Sequence, residues 1–159
     1  MALEFTDTEF ERILERAQMY YRTIDRIHCP YFGGKVEFDQ EGFQHLRRKS
    51  WNRGRRRNDQ FMRLKHISIA PRILTLSNTL QGIWHGHDRV RRHRHGRWEE
   101  AFVPTIFYEF IAVIENRRFK VIVKEPEGKG RRIFWSLIPF WQPTERGSRI
   151  MHEGDPAKD

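Results

Sequence analysis

The sequence predicts an α+β fold in which N-terminal helices pack on a C-terminal antiparallel sheet. Three observations carry that expectation. Apolar residues recur at helical spacing early in the chain, period-two alternation takes over after Thr105, and the stretches between the last strands are short enough for tight turns. With 159 residues the chain suits one domain, because a domain of that size buries most of the surface its unfolded form exposes.

Residues 6–28 repeat Phe10, Ile13, Leu14, Ala17, Tyr21, Ile24 and Ile27 along one helical stripe, with Thr8 and Glu11 spaced as a capping box and Pro30 closing the helix. "KVEF" reads as a short strand. "DQEGFQHLRRK" predicts a second helix with Phe43 and Leu46 buried, His45 at its flank, and a basic end at the negative pole of the helix dipole. "SWNRGRRR" has no apolar period and reads as a loop. Asn58 is placed to cap a third helix ending near Ile67, and Pro71 suits the first turn of a short helical segment over 71–76. Residues 77–99 lack a clean period and are expected to form a long basic loop.

The last third reads as a meander. "TIFYEFIAVIE", "RFKVIVKE" and "RRIFWSLIPFW" are the strands, separated by "NR" and "PEGKG". In the middle strand Phe119, Val121 and Val123 share one face and Lys120, Ile122 and Lys124 the other. In the third, Ile133, Trp135 and Leu137 oppose Phe134, Ser136 and Ile138. After Pro143 the chain turns polar. The expected division is an N-terminal amphipathic helix over 1–34, a main domain over 35–141 and a polar flexible tail over 142–159.

Thirty Lys and Arg against 21 Asp and Glu leave a formal charge of +9, and its distribution is regional. From Arg47 to Lys65 there are nine cationic residues and the single acid Asp59, whereas Met1 to His28 holds six acids and four arginines, a net of −2. A solvated charged face is the plain explanation of most charge runs. This one is one-signed, rich in Arg and interleaved with Trp51 and Phe61, so its self-repulsion calls for a polyanion. Arg47, Arg48, Lys49, Arg53, Arg55, Arg56 and Arg57 are the expected nucleic-acid contacts, joined by Lys120 from the sheet.

Cys29 is the only cysteine, so no intrachain disulfide forms, and a small packed hydrophobe explains it better than a nucleophile. The N-terminus is acidic and no apolar run reaches bilayer-spanning length, so a soluble cytoplasmic protein without membrane partners is expected. No Walker or dinucleotide glycine motif is present, nor a carboxylate pair in the basic half suited to two-metal cleavage. His85, His87, His93 and His95 form two H-x-H pairs, but the five arginines Arg89, Arg91, Arg92, Arg94 and Arg97 among and just after them would repel a dication. An anion-binding loop without metal or cofactor is the expectation.

Four residues are candidates for chemistry. An imidazole at His45 titrates near neutral pH, as cleavage of RNA by its own 2′-hydroxyl requires; the alternative is a histidine that ends its helix or faces solvent. Arg63 and Lys65 supply cations for a phosphorane-like transition state, against a plain backbone-contact role. Ser136 interrupts an apolar strand, and its hydroxyl either bonds a phosphate or 2′-oxygen or satisfies a neighbour.

"VEFDQEGFQHL", the basic "FMRLKHISIAPRIL", "FYEFIAVIENRRFKVIVKE" and "RRIFWSLIPFW", in this order over residues 35–141, resemble the phage-associated branch of the barnase, EndoU, colicin and RelE-like (BECR) nucleases. The resemblance implies helices before an antiparallel sheet and metal-independent RNA cleavage, often by a toxin held in check by a partner protein. It carries the family's histidine onto His45, its basic helix positions onto Arg63 and Lys65, its strand hydroxyl onto Ser136, and a further basic position onto Lys120. The His/Arg-rich insertion from His85 to Arg97 departs from the family pattern. The implied function is an endoribonuclease toxin acting on RNA, with an acidic antitoxin or immunity protein as a second partner. The rivals are a non-catalytic nucleic-acid-binding module and an interaction protein that docks an acidic partner.

Overall fold

The computed structural model describes residues 4–50, 53–139, 142–144 and 147–149. Helix α1 (Asp7–Ile24) begins with a capping box formed by Thr6 and Glu9, each side chain accepting from the other's backbone N–H at 3.1 Å. The box sits two residues before the expected Thr8 and Glu11. Phe5, just outside the cap, stacks on Phe10 with ring centroids 5.9 Å apart, and this hydrophobic staple decides where the helix starts. Asp25 ends it by adopting a positive φ of 55°.

The chain then forms an antiparallel hairpin of β1 (Arg26–Cys29), where the last turn of the expected helix would lie, and β2 (Gly34–Glu37), which matches the expected strand "KVEF". Cys29 is fully buried, and burial pushes its thiol pKa up. Helix α2 (Gln40–Arg47) is capped by Asp39, whose Oδ1 accepts from Gly42 N–H at 2.9 Å. The expected loop that follows contains a small hairpin, β3 (Arg48–Ser50) with β4 (Arg53–Gly54); Trp51 lies outside the described residues. Helices α3 (Arg57–Lys65) and α4 (Ile69–Leu76) come next, and α3 starts at Arg57 rather than after an Asn58 cap.

The largest departure from the sequence reading is at 77–99. Strand β5 (Gly82–Arg94) pairs along its whole length with β6 (Arg97–Ile114). Their two-residue turn places both His95 and Gly96 at positive φ, 52° and 73°, as a primed hairpin turn requires. Residues 93–100 are exposed, so the distal part of this ribbon has no buried face to print an apolar alternation on the sequence. Strands β7 (Arg117–Pro126) and β8 (Ile133–Pro139) complete the expected antiparallel meander. Inside the expected tail, β9 (Gln142–Thr144) pairs with β10 (Gly147–Arg149); residues 150–159 lie outside the described ones.

The architecture is α+β. The main sheet runs β1-β2-β8-β7-β6-β5, antiparallel except where Glu37 on β2 meets Ile133 on β8 in parallel. The helices and the sheet face bearing Phe110, Val121, Val123, Phe134 and Leu137 share one core, which also takes in Phe10, Ala17 and Tyr21 of α1 and so crosses the expected boundary at residue 34. A register shift in β7–β8 pairs Ile122 with Ser136 but Val123 with Phe134, leaving Trp135 as the extra residue of a bulge. Trp135 therefore packs with Phe107, Ile122 and Ile138 on the far face, which Ile133 joins opposite Lys124, while Leu137 falls on the core face instead of sharing theirs. Among the described residues no helix is long and apolar enough to cross a membrane.

Candidate functional site

The bulge sets the floor of the site. His45, in the last turn of α2, stacks on the Trp135 indole at 3.7 Å between centroids and 17° between planes, and Lys124 Nζ lies 3.7 Å from the same ring. Lys124 is 1% exposed. Its buried amine donates to Asp88 Oδ2 at 2.8 Å and Glu41 Oε1 at 2.9 Å, the paired carboxylates that a charge in a dry site requires. One residue thus ties the middle of the sheet to α2 and to β5.

His45 is buried rather than flanking its helix. The β3–β4 hairpin brings the chain back so that Arg55 N–H donates to the Arg47 carbonyl. The Arg55 guanidinium then donates from Nε to the His45 carbonyl at 2.8 Å and from Nη2 to His45 Nε2 at 2.9 Å. A guanidinium has no acceptor to offer, so Nε2 accepts and the imidazole is neutral with its proton on Nδ1. Arg55 is accordingly a buried structural partner of His45, not the surface contact the basic run suggested.

Asp59 joins two arginines. It accepts from Arg63 Nε and lies 3.8 Å from Arg55 Nη1, while Arg63 Nη1 donates to Ser136 Oγ at 2.6 Å. Arg63 is 1% exposed and Ser136 fully buried, so this bond fastens α3 to β8. Lys65 is exposed, with its ammonium 5.9 Å from the Phe61 ring centroid. Of the four catalytic candidates, His45 borders the cleft described next; Arg63, Lys65 and Ser136 do not.

That cleft encloses about 1270 Å³. Arg48, Lys49 and Arg53 line it from the β3–β4 side, and His85, His87, Arg89 and Phe102 from the β5–β6 side. Its floor is His45, Lys124 and Trp135, with Asp39, Glu41, Asp88 and Glu100 as the acids. Burial raises the Asp39 carboxyl pKa, against the opposing pull of the Gly42 N–H, Lys124 and Arg131.

The remaining expected nucleic-acid contacts separate from this group. Arg47 is half-buried with Nε 3.3 Å from Gln60 Oε1, and Arg57 pairs with Asp7 at 2.8 Å while covering the Phe10 ring. Arg56 is exposed beside the start of α3, away from the cleft lining. Lys120 is buried and sits 3.5 Å from Glu109. It shares a sheet face with Ser136, through Ile122, without bordering the cleft.

Sequence reading missed Glu41, Asp88, Trp135 and Phe102. One signal was present, since Asp88 is the sole acid between His85 and Arg97. Within β5, His85 and His87 fall two residues apart on one face. Among the described residues no group of three or more His, Cys, Asp or Glu is arranged to hold a metal ion. Compared with known protein families, curated proteins and solved structures, the chain shows no match.

Proposed function

We propose that the protein is a metal-independent endoribonuclease of toxin type, similar in layout to the BECR nucleases. The observation that supports this reading is the cleft itself, with cations on both walls and Glu41, Lys124 and His45 together at its base. Glu41 and His45 are four residues apart on α2 and so share a helix face. The Glu41 side chain is 55% exposed while Lys124 holds its Oε1, which leaves a fixed carboxylate open to a substrate.

In this mechanism Glu41 takes the proton of a 2′-hydroxyl, whose oxygen bonds to the adjacent phosphorus as the bond to the 5′-oxygen breaks. His85 or His87, exposed on the opposite wall, returns a proton to that leaving oxygen. The products are a 2′,3′-cyclic phosphate and a 5′-hydroxyl. Arg48, Lys49, Arg53 and Arg89 hold neighbouring phosphates, and Lys124 offsets charge at the cleft floor. His45, neutral with Nε2 occupied by Arg55, positions Trp135 and Lys124 rather than shuttling the proton. Arg63 and Ser136 act at one remove, by holding α3 on β8.

The test is incubation of total RNA with the purified protein in EDTA, followed by analysis of the ends produced. Cyclic phosphate ends are expected, and Glu41→Gln lowers the rate by about 10²–10⁴-fold. Intact total RNA, tRNA and ribosome-bound mRNA at high protein concentration would refute the proposal. The Arg55 bond to His45 Nε2 favours a second reading, a nucleic-acid-binding module without catalysis. That reading predicts steeply salt-dependent RNA binding, equal in wild type and Glu41→Gln, with no cleavage by either. An acidic antitoxin or immunity protein covering the same walls would form a stoichiometric complex that survives nuclease treatment.

A further inference from the structure

The distal part of the β5–β6 ribbon carries a pattern that the core does not use and that the cleft chemistry uses only at Arg89. Opposed residues in an antiparallel pair share a face, and the register opposes Arg89 to Phe102 and His93 to Trp98. The Arg89 guanidinium lies over the Phe102 ring, 5.6 Å from its centroid, and the His93 ring meets Trp98 at 5.3 Å. Both aromatic residues are strongly exposed, Phe102 at 60% and Trp98 at 66%. The two rungs are four residues apart, about 13 Å along a strand. The inner one, Arg89 with Phe102, lines the cleft wall, so the row begins at the candidate site and leads outward from it.

A single exposed aromatic side chain needs no explanation. Two on one face, each with a cationic or imidazole neighbour and aligned with a basic cleft, match a specific ligand chemistry. Single-stranded nucleic acid offers flat bases that stack on rings, joined by phosphates that seek cations at regular intervals. An acidic protein surface would satisfy Arg89 but would leave no reason for spaced, upright rings. A fully paired duplex hides its base faces.

We propose that this face of the β5–β6 ribbon is a track for single-stranded RNA, in which unpaired bases stack on Phe102 and then on Trp98 as the strand leaves the cleft. The choice of RNA rests on the ribonuclease reading. The track itself is a binding property and is measured without cleavage.

The experiment is fluorescence anisotropy in EDTA with 2′-O-methyl oligoribonucleotides, whose attacking hydroxyl is blocked. A dinucleotide, a single strand of about ten nucleotides and a blunt duplex of the same length are compared. Wild type is expected to gain affinity with single-strand length and to bind the duplex more weakly. Trp98→Ala lowers affinity for the long strand by about fivefold to a hundredfold, flattening the length dependence, and Trp98→Phe restores most of it. Phe102→Ala has the same sense, and unchanged far-UV circular dichroism shows that the variants are folded.

The track is overturned if Trp98→Ala and Phe102→Ala bind the long strand like wild type, if the duplex binds as tightly, or if the substitutions only weaken a complex with an acidic protein. Cleavage of unmodified RNA separates the two proposals. Ring-dependent binding without any cutting removes the ribonuclease and keeps the track, whereas cutting with ring-independent binding does the reverse.

Discussion

Lys124→Met retains most of the side-chain volume and removes one ammonium shared by two carboxylates and an indole. The Asp88 side chain is 10% exposed, so its carboxylate stays in a largely dry site without the donor that stood 2.8 Å away. Removing one partner of a buried pair typically costs about 3–5 kcal/mol. Glu41 is half exposed, rehydrates where it stands and adds no more than about 1 kcal/mol. The contact with Trp135 at 3.7 Å contributes up to about 2 kcal/mol when desolvated. All three terms describe one ammonium and do not sum, so the expected loss is about 3–5 kcal/mol. Urea unfolding measures it as a lowered midpoint at constant slope. Asp88→Asn combined with Lys124→Met should lose about 1–3 kcal/mol less than the sum of the single losses, since the second substitution removes the stranded charge. A loss below about 1 kcal/mol for Lys124→Met, or strict additivity, would show that the buried pair is not what holds β5 and α2 to the sheet.

Gly42→Ala should destabilise by at least about 1–3 kcal/mol in the same assay, because a Cβ there meets the Phe134 carbonyl and stands 2.8 Å from the Tyr21 hydroxyl. Ser136→Ala removes an acceptor from a buried guanidinium and should cost about 1.5–3 kcal/mol, with a smaller effect on cleavage than Glu41→Gln. A larger kinetic effect would return Ser136 to the reacting atoms. His66 is held below the ordinary histidine pKa chiefly by burial, with Arg117 and Lys65 acting in the same direction against its bond to the Met62 carbonyl. The unfolded chain therefore takes up the proton first as pH falls through 6.5, and this site's share of stability is lost from there down to the folded value. Thermal melts between about pH 7.5 and 5.5 should show wild type losing more stability than His66→Gln; equal losses would remove His66 as the source.

Much of the fold was legible because burial had written it into the residue pattern. The stripe of α1, Phe43 and Leu46 in α2, and the alternation of Phe119, Val121 and Val123 all report an inward face, and the structure buries them, apart from Ile13, Leu14 and Ile24 of the stripe, which are half-buried against the core. The β5–β6 ribbon was not legible, since its distal half is exposed and its turn is His-Gly instead of Asn-Gly. Among the site candidates, His45 was visible as an imidazole in an apolar frame. Its partners were not, because Asp88 and Lys124 are 36 residues apart and nothing local relates them.

Composition and periodicity alone settled the α+β class, the order of helices and meander, and the concentration of positive charge between Arg47 and Lys65. Only the folded chain decided how that charge is used. It sends Arg55 and Arg63 inward to His45 and Ser136, and it turns Arg48, Lys49 and Arg53 toward a cleft. The reason is that a side chain's type is local, whereas the long-range register and the one-residue bulge at Trp135 determine which charges meet and which face water.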